Sequence, residues 1–117
     1  MKVISWNCQG IGSALIVQAL RELRRKYDPN LVFLMETRNG REVLEKVKGR
    51  MRYANNYYVD LEGLSESLAL WWDDEVKVKI LEATKNCINS LVIMDCKEIV
   101  NRICWIYESI DFEKRKG

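Results

Sequence analysis

The 117-residue sequence contains no histidine. This absence removes the commonest general base, and with it the Ser-His and Cys-His nucleophile pairs. None of the four cysteines, Cys8, Cys87, Cys96 and Cys104, belongs to a C-x-x-C pair, so the usual zinc ligand sets cannot be assembled locally. We expect the cysteines to be reduced, small core residues. Any chemistry encoded here must therefore use carboxylates, amides, tyrosine or a hard metal ion.

Proline, glycine and long apolar runs are also scarce. One proline and six glycines, with 48% apolar and 31% charged residues, are typical of an ordinary globular chain rather than a disordered one. The length suits a single domain. No apolar run approaches the ~18 residues that a membrane span needs, and the first residues do not form a signal peptide. The sequence therefore predicts an intracellular protein with no membrane partner.

The small net charge of +2 is unevenly distributed. Residues 21–52 contain ten basic and five acidic groups, whereas residues 53–117 contain eight basic and twelve acidic ones. Basic residues that could meet nucleic-acid phosphates are Arg24, Arg25, Arg41, Lys48, Arg50 and Arg52. Alternating charges along a helix more often only keep its face solvated. Nucleic-acid binding without cleavage is thus one open hypothesis.

The first half of the sequence predicts an alternation of strands and helices. A short β-prone stretch, Lys2 to Trp6, precedes a glycine-containing loop. An amphipathic helix then begins at a Ser13 cap and stops before Pro29. Asn30 to Met35 is uninterrupted by polar residues beyond its start, as in a strand buried on both faces, and a second helix follows Asn39. This order indicates an α/β layered domain.

The second half predicts short strands only. They span Asn55 to Asp60, Ser67 to Trp72, Val76 to Ala83, Cys87 to Cys96 and Val100 to Tyr107. The Ser67 to Trp72 segment is apolar on both faces and should lie inside a sheet. Two helices can cover one face of that sheet, so the other face needs a second sheet, a partner chain or exposure to solvent. We divide the chain into a domain at 1–107 and a charged, frayed tail at 108–117.

Asn7 and Glu36 are the residues we single out as a candidate site. Each follows a predicted strand, and a right-handed crossover would bring both side chains to one edge of the sheet, where open sheets bind ligands. A carboxylate and an amide oxygen suit Mg²⁺ or Mn²⁺, which can polarise phosphate without histidine. An Asn in a turn and a Glu after a strand are common, so this spacing alone does not decide the function.

Longer strings make the pattern more specific. The strings M-K-V-I-S-W-N-C-Q-G-I-G at the start, D-P-N-L-V-F-L-M-E-T at 28–37 and G-L-S-E-S-L-A-L-W-W-D-D-E-V at 63–76 resemble the N-terminal half of the endonuclease/exonuclease/phosphatase superfamily. The branch that they resemble most is the endonuclease domain of plant LINE-type (non-LTR) retrotransposons. The resemblance runs from Met1 to about Tyr107.

The resemblance implies the N-terminal half of a four-layered α/β-sandwich, with a mixed sheet carrying two helices on one face, and Mg²⁺-dependent hydrolysis of nucleic-acid phosphodiesters in the nucleus. Carried over by position, Glu36 is similar to the family's metal-ligand glutamate, and Asn7 to its catalytic asparagine, which holds metal and substrate. Arg102 matches a phosphate-binding arginine. Tyr107 matches the catalytic tyrosine of an F-Y-G-x-P strand end, although Gly-x-Pro is replaced here by Glu108-Ser109-Ile110.

The family's later D-x-N and S-D-H segments have no counterpart in this chain. In the family, the Asp of the D-x-N segment activates the attacking water, and the His of the S-D-H segment engages the scissile phosphate. The resemblance therefore predicts a truncated, inactive pseudoenzyme that binds metal weakly. We also expect an apolar sheet face left uncovered, which would make a monomer weakly stable. The alternative is a non-catalytic module that dimerises or docks a protein partner through that face.

Overall fold

The computed structural model describes residues 1–59, 68–94 and 100–107. The predicted tail at 108–117, Cys96 and the G-L-S string at 63–65 lie outside these residues. Within these ranges, two helices and seven strands follow one another in nearly the predicted order and positions. They are β1 (Val3–Asn7), α1 (Ala14–Tyr27), β2 (Leu31–Met35), α2 (Arg41–Met51), β3 (Asn55–Val59), β4 (Leu68–Trp72), β5 (Val76–Ala83), β6 (Cys87–Met94) and β7 (Val100–Ile106).

Helix α1 has the boundaries that its sequence predicts. The Ser13 hydroxyl accepts a hydrogen bond from the Leu15 amide at 3.2 Å, which satisfies one of the free donors of the first turn. At the other end Asp28 adopts a left-handed conformation and donates its amide to the Arg24 carbonyl at 2.9 Å. Pro29 then prevents another turn. Helix α2 lacks a side-chain cap at Gly40 and also ends in a left-handed residue, Arg52.

The first sheet has the strand order β1-β2-β4-β3. Strand β1 pairs with β2 in parallel, as the crossover through α1 predicts, and Asn7 lies opposite Met35. Strand β4 runs antiparallel to both β2 and β3, so the sheet is mixed. The doubly apolar Leu68–Trp72 strand lies inside the sheet, as its composition predicts.

The two faces of the first sheet bury two separate cores. On one face Trp71 and Leu34 pack with buried residues of α1 and α2. On the other face Phe33 packs against the second sheet, β5-β6-β7, and its ring centroid lies 5.6 Å from that of Trp105. The second sheet thus comes from this same chain. The expectation that this face of the first sheet would be bare is wrong, because β5 to β7 fold back over it.

The outer face of the second sheet carries exposed apolar side chains instead. Alternation along β7 turns Trp105 inward and leaves Ile106 and Val100 outward, where they are 66% and 55% exposed. Cys104 is exposed on this outer face too, so the prediction of core cysteines is confirmed for Cys8 and wrong for Cys104. No helix among the described residues is long and apolar enough to cross a membrane.

Candidate active site

The loops after β1 and β2 are fastened to each other beyond the ends of the strands. The Cys8 amide donates to the Met35 carbonyl at 3.0 Å, and the Gly10 amide donates to the Glu36 carbonyl at 2.8 Å. The Ile11 amide continues the series with a 2.9 Å bond to the Thr37 carbonyl. The two chain segments that carry Asn7 and Glu36 therefore leave the sheet side by side at one edge.

Both loops turn through left-handed backbone conformations. Gln9 and Gly10 have φ angles of 47° and 104°, and Glu36 and Arg38 have φ angles of 51° and 56°. Such a conformation costs a residue with a Cβ roughly 1–2 kcal/mol, whereas glycine adopts it freely. Glu36 is thus held in a strained position by the hydrogen bonds that fasten the two loops.

Glu36 is a half-buried carboxylate beside a cation. Its side chain is 18% exposed, and its Oε1 lies 3.6 Å from a guanidinium nitrogen of Arg38, whose side chain is 47% exposed. Asn7 is exposed and accepts a long hydrogen bond of 3.3 Å from the Gln9 amide to its Oδ1. Because Asn7 is the register partner of Met35, it lies on the face of the first sheet that the second sheet packs against.

Cys8 directly follows Asn7, belongs to the core on the helix side of the first sheet and is only 2% exposed. Its Sγ donates to the Met35 carbonyl at 3.1 Å. Burial raises the pKa of this thiol to about 11, and the nearby Glu36 carboxylate adds to the rise. Cys8 is therefore protonated at neutral pH and fills space under the site rather than acting as a nucleophile.

The other two predicted site residues lie on opposite faces of the second sheet. Tyr107 is buried in the core between the sheets, the same core against which Met35 packs. Arg102 lies on the outer face, where its Nε donates to the Asn89 side chain at 3.2 Å. The structure thus turns Tyr107 toward the layer that Asn7 faces and turns Arg102 away from it. The phosphate-binding role of Arg102 stays a prediction.

A hard divalent cation fits the donors at this edge in part. The Glu36 carboxylate and the Asn7 amide oxygen are the oxygen ligands that Mg²⁺ prefers, and such an ion keeps several waters in any case. Among residues 1–59, 68–94 and 100–107, no group of three or more His, Cys, Asp or Glu side chains could hold a metal. Glu36 and Asn7 are thus the two candidate protein ligands, and Arg38 competes with a cation for the carboxylate.

Two residues that sequence reasoning missed help to shape the site. Arg38 pairs with Glu36, and Asn39 accepts a 2.9 Å hydrogen bond from the Gly12 amide to its Oδ1, which joins the two loops again. A Cβ at Gly12 would lie 3.0 Å from the Asn39 side chain, so the glycine permits this approach. The polar run from Glu36 to Asn39 directly after a buried strand was the available signal.

Several solved structures resemble the fold described above, and two of them are endonucleases. One is the AP endonuclease LMAP from Leishmania major, with a TM-score of 0.63 and 12% identity over 98% of this chain and 43% of that one. The other is the catalytic domain of Xenopus laevis APE2, with a TM-score of 0.60 and 16% identity over 99% of this chain and 48% of that one. This chain therefore has part of the fold of these endonucleases. The predicted class, an α/β-sandwich of the endonuclease/exonuclease/phosphatase type, is thereby confirmed.

Sequence comparisons are negative, because no family model and no curated protein matches the chain. The chain spans less than half the length of either endonuclease structure that it resembles. At such low identity the likeness concerns the arrangement of helices and strands and not the chemistry. Any chemistry of this chain therefore depends on the side chains at the sheet edge.

Proposed function

We propose that this chain is a nuclease-like domain carrying half of a metal-dependent phosphodiesterase site, and that the 117-residue chain alone does not cleave nucleic acid. The observation that supports this most is the pairing of Asn7 with Met35, which brings Asn7 and Glu36 to the same sheet edge. The fold shared with two endonucleases agrees with a nucleic-acid substrate. Membership of the plant LINE-type retrotransposon branch, and a nuclear location, are part of the same proposal.

Each residue has a proposed role at this edge. Glu36 and the Oδ1 of Asn7 would hold Mg²⁺ or Mn²⁺, which supplies charge stabilisation at phosphate oxygens when bound. The Asn7 amide nitrogen would donate to a phosphate oxygen and orient it. Arg38 neutralises Glu36 in the absence of a cation and is sufficiently exposed to turn toward a phosphate. Tyr107 would donate its hydroxyl to the same phosphate.

Inactivity is proposed because the chain lacks the groups to which the resemblance assigns water activation and engagement of the scissile phosphate. It contains no histidine, and the motif that would bring a water-activating Asp has no counterpart. General acid and base groups each contribute roughly 10² to 10⁴-fold, and groups that act as a unit fail together. Two metal ligands alone are also too few for tight cation binding, so we expect weak affinity.

The experiment is a nicking assay on supercoiled plasmid with Mg²⁺, run with the wild type and with Glu36→Gln. Glutamine keeps the size of the side chain and its left-handed backbone, so the variant should fold equally well. We expect no nicking by either protein. Nicking by the wild type that disappears in Glu36→Gln would refute the inactivity, whereas nicking by both would indicate a contaminant. Paramagnetic broadening by Mn²⁺ of resonances near Glu36, absent in the variant, tests the metal site separately.

A second candidate function, a non-catalytic docking module, is favoured by the apolar side chains on the outer face of the second sheet. Val100 and Ile106 on β7 and Leu81 on β5 are exposed there. Burying one such side chain contributes roughly 1.5–3 kcal/mol, which makes a second copy of the chain a reasonable occupant. Light scattering after size exclusion would detect the dimer. Ile106→Lys should dissociate it, while Leu15→Lys, at an exposed leucine on α1, should not.

A further inference from the structure

A groove of about 910 Å³ follows helix α1 on the helical side of the molecule. It runs from Ala14 in the first turn to Asp28 beyond the last and is closed on one side by the end of α2. At 1.5 Å per residue this is a length of about 21 Å. Its apolar floor includes Val17 and Met51, both of which are buried. Neither Asn7 nor Glu36 lines the groove, so it is distinct from the candidate active site.

Arginine dominates the charge of this groove. Its lining includes five guanidinium groups but only two carboxylates, those of Glu22 and Asp28. One guanidinium, that of Arg24, is structural, because it donates to Asp28 at 2.7 Å and to the Met51 carbonyl at 3.0 Å. Within the described part of the chain, the other four make no side-chain hydrogen bond or ion pair; they are Arg21, Arg25, Arg50 and Arg52.

This arrangement is not explained by the stability of the helices. Arg21 and Arg25 are four residues apart on α1, and a like-charged pair at this spacing costs roughly 0.2–0.5 kcal/mol. The helix dipoles favour cations in the last turn, which accounts for Arg25 on α1 and Arg50 on α2 but not for Arg21 one turn earlier. Arg50 and Arg52 bring two further positive charges from α2 to the same space.

We propose that the groove binds the phosphodiester backbone of a nucleic acid, as a contact surface additional to the sheet edge. Guanidinium groups hold phosphate oxygens through paired N–H donors, and their release of counterions drives association. A nucleic-acid strand carries one negatively charged phosphate per nucleotide, so several phosphates fall within the length of the groove. A phosphate chain therefore matches four separate guanidiniums along the groove better than a single small anion does. The site requires no metal and no cleavage.

The test is the salt dependence of binding to a fluorescein-labelled single-stranded oligothymidylate, measured by anisotropy in EDTA. A phosphate contact contributes about 0.7 to the slope of log affinity against log salt. The triple variant Arg25→Gln/Arg50→Gln/Arg52→Gln should therefore lower the slope by about 2 and weaken binding severalfold at low salt. The corresponding triple lysine variant should keep the wild-type slope. Because EDTA removes divalent cations, binding in this assay does not depend on the proposed metal site, which separates this proposal from that of the active site.

A matched control removes the same charge elsewhere: Lys77→Gln/Lys79→Gln/Lys85→Gln, on β5 and the turn after it. We expect its slope to be unchanged. An equal decrease of the slope in the two triple variants would show non-specific electrostatic attraction and would overturn the proposal. Undetectable binding of the oligonucleotide by the wild type at low salt would overturn it too, as would tighter binding of poly-glutamate than of the oligonucleotide. If the triple arginine variant fails to fold by circular dichroism, the single variants Arg25→Gln and Arg50→Gln decide, each with an expected slope decrease of about 0.7.

Discussion

Replacing Ser90 with alanine is expected to destabilise the protein by about 2 kcal/mol. Ser90 is fully buried on β6, where its Oγ accepts a hydrogen bond from the Trp105 Nε1 at 3.0 Å and donates to the Ile103 carbonyl at 3.0 Å. These bonds fasten β7, the strand that leads to Tyr107, to the middle of the second sheet. A loss here therefore affects the position of a predicted site residue.

The magnitude follows from the group left behind. Alanine removes the acceptor, so the indole N–H of Trp105 stays buried without a partner, at a cost of roughly 1–3 kcal/mol. Trp105→Phe removes the donor as well, and in that background Ser90→Ala leaves no unpaired indole. We therefore expect Ser90→Ala to be nearly neutral once Trp105→Phe is present. The coupling energy between the two substitutions should be about 1–2 kcal/mol.

Urea unfolding of the four proteins, followed by circular dichroism, measures this cycle. The midpoint should fall for Ser90→Ala with an unchanged slope, and thermal unfolding should show a decrease of about 4 °C per kcal/mol. Equal costs of Ser90→Ala in the wild-type and Trp105→Phe backgrounds would refute the reasoning, because the penalty would then not come from the indole. Tyr107→Phe keeps the aromatic ring and serves as a control, because it shows how much stability is lost when another residue at the end of β7 is changed.

Three further predictions concern other parts of the fold. A hydrogen bond from Lys48 lowers the pKa of the Glu45 carboxyl below its ordinary 4.5. The ionised carboxylate therefore stabilises the folded protein above pH 4.5, and this stabilisation is lost as the pH falls through the lowered pKa. The stability of wild type and Glu45→Gln, measured in urea, should therefore converge in acid. At pH 8 a thiol reagent should modify exposed Cys104 rapidly and buried Cys8 only on unfolding, as peptide mass spectrometry would show. Gly49→Ala should stabilise α2 by about 0.5–1 kcal/mol in urea titrations, since nothing lies within 4 Å of the added Cβ.

The elements and their order could be predicted because local signals agreed. Ser13 and Pro29 delimit α1, and the doubly apolar Leu68–Trp72 segment required an interior strand. The packing of the two sheets could not be predicted. The alternation of apolar and charged residues along β5 shows that one face of this strand is buried, but it does not show which element covers that face. The wrong expectation that one face of the first sheet would be uncovered arose for this reason. The contact that covers this face joins Phe33 to Trp105, and these residues are far apart in the sequence.

The candidate site was predictable only as far as topology allows. The parallel register of β1 and β2 puts the positions of Asn7 and Glu36 at one edge of the sheet, and a crossover connection dictates that arrangement. The Arg38 pair and the left-handed angles of the loops have no periodic signal in the sequence. The difference between Tyr107 and Arg102 follows from simple strand alternation, since odd and even positions of β7 face opposite sides. The opposite orientation of these two residues could therefore have been predicted from the sequence.

The left-handed conformation of Glu36 also bears on how this residue would fare under mutation. Glycine at this position would relieve roughly 1–2 kcal/mol of backbone strain and would lose roughly 0.5–1 kcal/mol through the greater freedom of the unfolded chain. The balance favours glycine by roughly 0–1.5 kcal/mol, so folding stability gives glutamate no advantage at this position. The fold itself therefore provides no reason for an acid at this turn, and a lineage in which the carboxylate had no use could replace it without thermodynamic penalty.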